Sequence, residues 1–203
     1  MTRVVIIDTG IANTASVASS FGRLGLEPRF TRDARVVQDA RLVVLPGVGS
    51  FSAGMSSLRR TGLDRVVQDR CEAGLPLLAI CLGLQLMCSG SDESPAVRGL
   101  GVINTRVTRF NAGIRTPQYG WNQVTPKEGL KIKPGYAYYS NSYRIEEIPD
   151  GWLGALSDHG GSFVAALQRG PIMACQFHPE LSGEWGRLLL QCWIDSTKEA
   201  ATC

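Results

Sequence analysis

The apolar and polar positions change rhythm near Gly99. Before it, short apolar runs alternate with stretches of helical period: strands are predicted at Val4–Asp8, Glu27–Thr31, Leu42–Leu45 and Leu77–Ile80. The helices between them fall at about Asn13–Leu24, at Ala34–Ala40, within Phe51–Ala73 and at Leu82–Cys88. Strictly alternating strands and helices predict a doubly wound α/β fold on a parallel sheet, with its site at the carboxyl ends of the strands. From Gly99 to Phe177 the helical period disappears. Runs such as Val102–Phe110, Tyr136–Tyr139, Leu153–Leu156 and Ser162–Leu167, separated by Gly, Pro and Asn, read as antiparallel strands that extend the sheet. A last helix over Glu184–Asp195 has Trp185, Leu188, Leu189, Cys192 and Trp193 as its expected apolar face. No repeat or low-complexity segment interrupts the chain, and 1–203 reads as one domain.

Composition narrows the function classes. At 203 residues and 44% hydrophobic, the chain can bury one sizeable core. Its 21 Lys and Arg against 18 Asp and Glu leave only +3, with no block of like charge, so a nucleic-acid or membrane-surface role finds no support. The longest apolar stretch, Leu75 to Cys88, is too short to span a bilayer and contains Pro76 and Gln85. The N-terminus reads as a first strand rather than a signal peptide, and the six cysteines form no CxxC pair; a reducing, cytoplasmic setting is expected.

Among those cysteines Cys81 stands apart. In Ala79-Ile80-Cys81-Leu82-Gly83-Leu84-Gln85 an apolar strand stops at a thiol flanked by small residues, the pattern of a strand-to-helix elbow that exposes a nucleophile. The following helix begins at that thiol, and its unpaired N–H groups favour thiolate. Cys71, Cys88, Cys175 and Cys192 lie in helical or apolar stretches without such an elbow and read as small hydrophobes, while Cys203 ends the tail.

A cysteine nucleophile needs a base, and there are two histidines. His159, in Ser157-Asp158-His159-Gly160-Gly161, reads as a solvated turn residue. His178 follows the apolar run Ile172–Phe177 as the last residue of a strand and precedes Pro179-Glu180, so the Glu180 carboxylate can accept its imidazole N–H. An oxyanion site has candidates in the loop Pro46-Gly47-Val48-Gly49-Ser50, whose backbone N–H groups the N–H of Leu82 can join.

With these residues the chain resembles the class I glutamine amidotransferases, and within them the glutaminase subunits of imidazole glycerol phosphate synthase. The resemblance runs through Asp8-Thr9-Gly10-Ile11-Ala12-Asn13, Pro46-Gly47-Val48-Gly49-Ser50-Phe51, Cys81-Leu82-Gly83-Leu84-Gln85, Gly99-Leu100-Gly101, Pro117-Gln118-Tyr119-Gly120-Trp121-Asn122, Asn141-Ser142-Tyr143 and Phe177-His178-Pro179-Glu180. It implies a flavodoxin-like open sheet with a parallel core, an antiparallel extension and flanking helices. It implies catalysis by Cys81, His178 and Glu180, oxyanion contacts from Val48, Gly49 and Leu82, and substrate contacts from Gln85, Asn141, Ser142 and Tyr143. It also implies no cofactor or metal, and a heterodimeric partner, the cyclase subunit, a TIM barrel that receives ammonia and is met by Asn13, Trp121 and Leu181. By residue type alone the aromatics of Gln118–Trp121 read as core anchors; the resemblance moves them to a loop facing the cyclase.

Three positions depart from the family pattern: Ala79 stands where Gly is usual, Asn141 where many members have His, and Leu181 where Lys or Arg usually follows His-Pro-Glu. A glutaminase paired with another synthase, a stand-alone cysteine hydrolase and a catalytically silent binding subunit stay open as alternatives, the last opposed by intact Cys81, His178 and Glu180.

Overall fold

The computed structural model describes residues 2–10 and 14–199. The expected helix start and interface residue at Asn13 therefore lies outside the described residues. In the first half, β1 (Arg3–Ile7), α1 (Thr14–Arg23), β2 (Glu27–Thr31), α2 (Ala34–Asp39), β3 (Leu42–Leu45), α3 (Phe51–Thr61), α4 (Leu63–Glu72), β4 (Leu77–Ile80) and α5 (Leu82–Met87) follow the predicted alternation. Gly62, at φ +69°, takes the left-handed conformation that ends α3 and separates it from α4. The second half adds β5 (Cys88–Ser91), β6 (Ile103–Arg109), β7 (Gln118–Pro126), β8 (Gly135–Asn141), β9 (Tyr143–Arg144), β10 (Leu153–Asp158), β11 (Ser162–Arg169), β12 (Ile172–Cys175) and α6 (Gly183–Glu199).

Nine strands form one sheet in the order β2-β1-β3-β4-β12-β11-β10-β7-β8. The block from β2 to β12 is parallel, with Leu45 beside Ala79 and Ile80 beside Cys175; from β12 to β8 every pair is antiparallel. Leu42–Leu45, Leu77–Ile80 and Ile172–Cys175 are buried throughout, as strands covered on both faces must be. Helix α4 carries a buried cation. The Arg70 guanidinium donates to the carbonyls of Val37, Gln38, Ala40 and Pro76 at 2.9–3.0 Å, tying the end of α2 to the entry of β4.

Several expectations need correction. The run Val102–Phe110 does not extend the main sheet: β6 pairs in parallel with β5 and antiparallel with β9 in a separate three-stranded sheet, where only Ile103 and Val107 turn to the core. The predicted helix to Cys88 stops at Met87, and Cys88 opens β5. Gln118–Trp121 is strand rather than loop, hidden in the sequence because its solvent-facing alternate positions are the apolar Tyr119 and Trp121. On α6 the buried stripe is Leu189, Leu190, Trp193 and Ile194; Leu188 and Cys192 are exposed, because the helix is rotated about one residue from the expected face.

Candidate active site

The site forms where β3 and β4 end. Cys81 adopts φ 52° and ψ −108°, the only positive φ among the described non-glycine residues. That backbone costs on the order of 1–3 kcal/mol and persists only where the surroundings enforce it. Here the Cys81 N–H donates to the Cys175 carbonyl at 2.7 Å, and its own carbonyl accepts from the Gln85 N–H at 3.3 Å to begin α5. Two glycines make the elbow possible. A Cβ on Gly83 would collide with the Leu45 carbonyl oxygen, and one on Gly47 would come within 2.7 Å of the Leu82 Cβ. Ala79, the departure inside this motif, is fully buried between β3 and β12 and fits without displacing the turn.

His178 lies beyond the end of β12 and not on it: the strand stops at Cys175, and His178 caps the 3-10 turn Pro179–Leu181. It is held by its N–H donating to the Tyr138 carbonyl at 2.8 Å and by the Ser182 hydroxyl donating to its carbonyl at 2.6 Å. Pro179, which has no N–H to donate to a ladder, opens the 3-10 turn directly after His178. The imidazole Nδ1 meets the Glu180 carboxylate at 2.9 Å, and both side chains are buried. Burial works against protonation of His178, but hydrogen bonds to Cys81 and Glu180 outweigh it and raise its pKa to about 10. The arrangement is that of a thiol beside an imidazole that a carboxylate orients.

Two cavities meet at His178. One, of about 230 Å³, is lined by Cys81 with Val48, Gly49, Leu82, Gln85, Glu93, Pro117, Asn141, Ser142 and Tyr143, so it gathers the expected oxyanion and substrate residues around the thiol. The Asn141 amide donates to the Tyr143 carbonyl at 3.0 Å, while its Oδ1 has no partner among the described residues. The Leu82 N–H, expected to face an oxyanion, instead donates to the Gly47 carbonyl at 3.3 Å. The other cavity, about 460 Å³, opens outward past His178 and Glu180 between Pro46, Tyr119, Trp121, Tyr138 and Leu181. Trp121 and Leu181 are exposed there, at 58% and 41%.

Sequence reasoning missed Glu93, whose carboxylate accepts from the Phe51 N–H at 2.7 Å at the cavity wall; nothing in the polar stretch Ser91-Asp92-Glu93 marks it. It also missed Gln176, fully buried and within hydrogen-bonding distance of the thiol, although a polar residue inside the apolar run Ile172–Phe177 was a usable signal. His159 is not a free turn residue: its Nε2 contacts the Arg115 carbonyl at 2.8 Å and its ring meets Phe110 edge-on.

An elbow thiol, a buried imidazole and a carboxylate at the end of an open α/β sheet agree with the relationships found by comparison. The chain matches the family Glutamine amidotransferase class-I over residues 5–191 and belongs to that family. It is 39% identical, over 95% of its length and 93% of the relative's, to imidazole glycerol phosphate synthase subunit HisH of Symbiobacterium thermophilum. To the HisH subunit of Moorella thermoacetica it is 38% identical, with 98% of both chains covered. A crystal structure of a glutamine amidotransferase shares the fold at TM-score 0.79 and 20% identity, covering 96% of this chain and 98% of that one. Among the described residues, no helix is long and apolar enough to cross a membrane.

Proposed function

We propose that this chain is the glutaminase subunit of a cytoplasmic imidazole glycerol phosphate synthase, releasing ammonia from glutamine for a cyclase subunit. The observation that carries this reading is the thiol–imidazole–carboxylate relay of Cys81, His178 and Glu180 opening into a cavity sized for one amino acid. Relatives named HisH across nearly the whole length supply the pathway.

Glutamine enters with its side-chain amide against Cys81. The Sγ thiolate attacks the amide carbon, and backbone N–H groups of Val48 and Gly49, joined by that of Leu82 once it is released from the Gly47 carbonyl, receive the oxyanion as it forms. His178 gives its proton to the departing nitrogen, so ammonia leaves and a glutamyl thioester remains on Cys81. Glu180 keeps the imidazole oriented through both half-reactions. Water, deprotonated by His178, then attacks the thioester and frees glutamate and the thiolate. The unpartnered Oδ1 of Asn141 and the carboxylate of Glu93 suit the ammonium group of the substrate, while Gln85, Ser142 and Tyr143 complete the wall.

Ammonia leaves through the outer cavity toward a partner seated on Trp121 and Leu181. Reconstitution with the cyclase subunit tests the reading: glutamine and ammonium should each support imidazole glycerol phosphate formation. Failure of glutamine alone, with the complex intact, would reject it.

A further inference from the structure

Gln176 lies between the nucleophile and the substrate wall, on neither of the motifs that define the site. It is fully buried, one residue past β12, and its backbone N–H donates to the Ala165 carbonyl at 2.8 Å. Its side chain has two contacts. The Oε1 accepts from the Gln85 Nε2 at 3.0 Å, and the Nε2 reaches the Cys81 Sγ at 3.7 Å.

The surroundings fix which way this amide faces. Gln85 Nε2 has two oxygen neighbours, the Tyr143 carbonyl at 3.4 Å and Gln176 Oε1, so it must be the donating end of Gln85. Gln176 must then present oxygen to Gln85, which leaves its NH2 toward the sulfur. An N–H directed at a sulfur in a buried site stabilises thiolate far more than thiol, because a hydrogen bond to an anion is roughly twice as strong as one between neutral groups. The other charged or titratable neighbours of the sulfur are His178, with Glu180 behind it, and the Cys175 thiol. The Cys175 thiol directs its S–H at the Ala79 carbonyl at 3.6 Å, which leaves His178 as the donor among these, and in the first half-reaction it must give its proton away.

We propose that Gln176 is a further catalytic residue, whose side-chain N–H holds Cys81 in its anionic form and whose orientation is set by Gln85 on the substrate wall. Gln176 remains a donor when His178 has surrendered its proton. It rests on the glutaminase reading only in taking Cys81 as the nucleophile.

Alkylation of Cys81 by iodoacetamide, followed by mass spectrometry in the full-length chain with exposed Cys192 as internal reference, tests this without any substrate. Gln176→Met removes the N–H at similar volume; Gln176→Glu keeps the shape and the oxygen facing Gln85 but puts an acceptor toward sulfur. At neutral pH both should slow Cys81 alkylation about tenfold or more, Gln176→Glu the more severely. The half-maximal pH of alkylation should move upward, and Cys192 should react unchanged. Thermal unfolding of each variant separates this from a folding defect. Loss of stability with unaltered Cys81 reactivity in the folded fraction would assign Gln176 a structural role and overturn the proposal, as would equal reactivity of all three proteins. Wild-type Cys81 no more reactive than Cys192 would reject the nucleophile itself, and the glutaminase reading with it.

Discussion

The Leu82 N–H donates to the Gly47 carbonyl at 3.3 Å, so a backbone donor placed to meet the oxyanion is already engaged within the protein. The loop holding that carbonyl runs through Gly49, at φ +95°, where a peptide can turn over with little steric cost. Freeing Leu82 and turning a loop N–H inward would be one movement. The isolated chain should therefore hydrolyse glutamine at least ~100-fold more slowly than the complex with its cyclase and ligand, the scale of losing one oxyanion donor. Steady-state glutamate release with and without the partner measures this, and full activity in the single chain would contradict it.

In the proposed reading glutamine chemistry depends on the Cys81 thiol, whereas ammonia use belongs to a partner subunit. Cys81→Ser should abolish glutamine-dependent synthesis in the assembled complex and leave ammonium-dependent synthesis within about twofold of wild type. Parallel assays with the two nitrogen sources decide it; equal loss of both would sink this division of labour.

The two histidines should separate by orders of magnitude. His178 contacts both Cys81 and Glu180, and His178→Ala should lower glutamine turnover by ~10³-fold or more. His159 holds the Arg115 carbonyl and packs on Phe110, away from the thiol. His159→Ala should cost roughly 1 kcal/mol of stability, about one hydrogen bond, and change turnover less than about threefold. A severe kinetic defect in His159→Ala would mean that the wrong imidazole has been taken as the base.

What the sequence made legible divides along physical lines. The parallel half was readable because β3 and β4 are uninterrupted apolar runs and the helices between them keep a clean period. The elbow was readable because Gly83 and Gly47 leave a signature wherever backbone must approach backbone. The second half was harder. Strand β7 was invisible because its outward positions carry Tyr119 and Trp121, and the separate sheet of β5, β6 and β9 depends on long-range pairing that no local pattern encodes. Glu93 and Gln176 reach the site only through tertiary contacts, and the engagement of Leu82 by Gly47 is a backbone conformation that residue types do not specify.

His178 also sets a pH dependence. Its pKa rises from about 6.5 to about 10 on folding, so its contribution to stability is fully present below pH 6.5 and is lost as pH climbs through 10. Wild-type protein should exceed His178→Gln in unfolding free energy by a few kcal/mol near pH 6, at ~1.4 kcal/mol per unit of pKa change. The gap should close by about pH 10.5. Urea titrations of both proteins at the two pH values check this, and a gap that widened with pH would reverse the assigned charge state.

The exposed aromatic face gives the last test. Trp121 and Tyr119 are 58% and 74% exposed on adjacent turns of the pleat, each packed edge-on against Tyr138, and Leu181 borders the same outer cavity. Large flat side chains left in water beside the proposed glutaminase site are what a subunit interface would bury, and aromatic anchors at interfaces typically carry about 2 kcal/mol or more. Trp121→Ala should therefore weaken cyclase binding by roughly 30-fold or more, while Cys81 alkylation in the free chain stays at the wild-type rate. Leu181→Lys, which adds a cation beyond Glu180 but no group near the thiol, should leave glutamine hydrolysis by the isolated chain unchanged. Calorimetric titration with the cyclase subunit reads the first effect and glutamate release the second. Undiminished affinity in Trp121→Ala would move the partner to another face of the sheet.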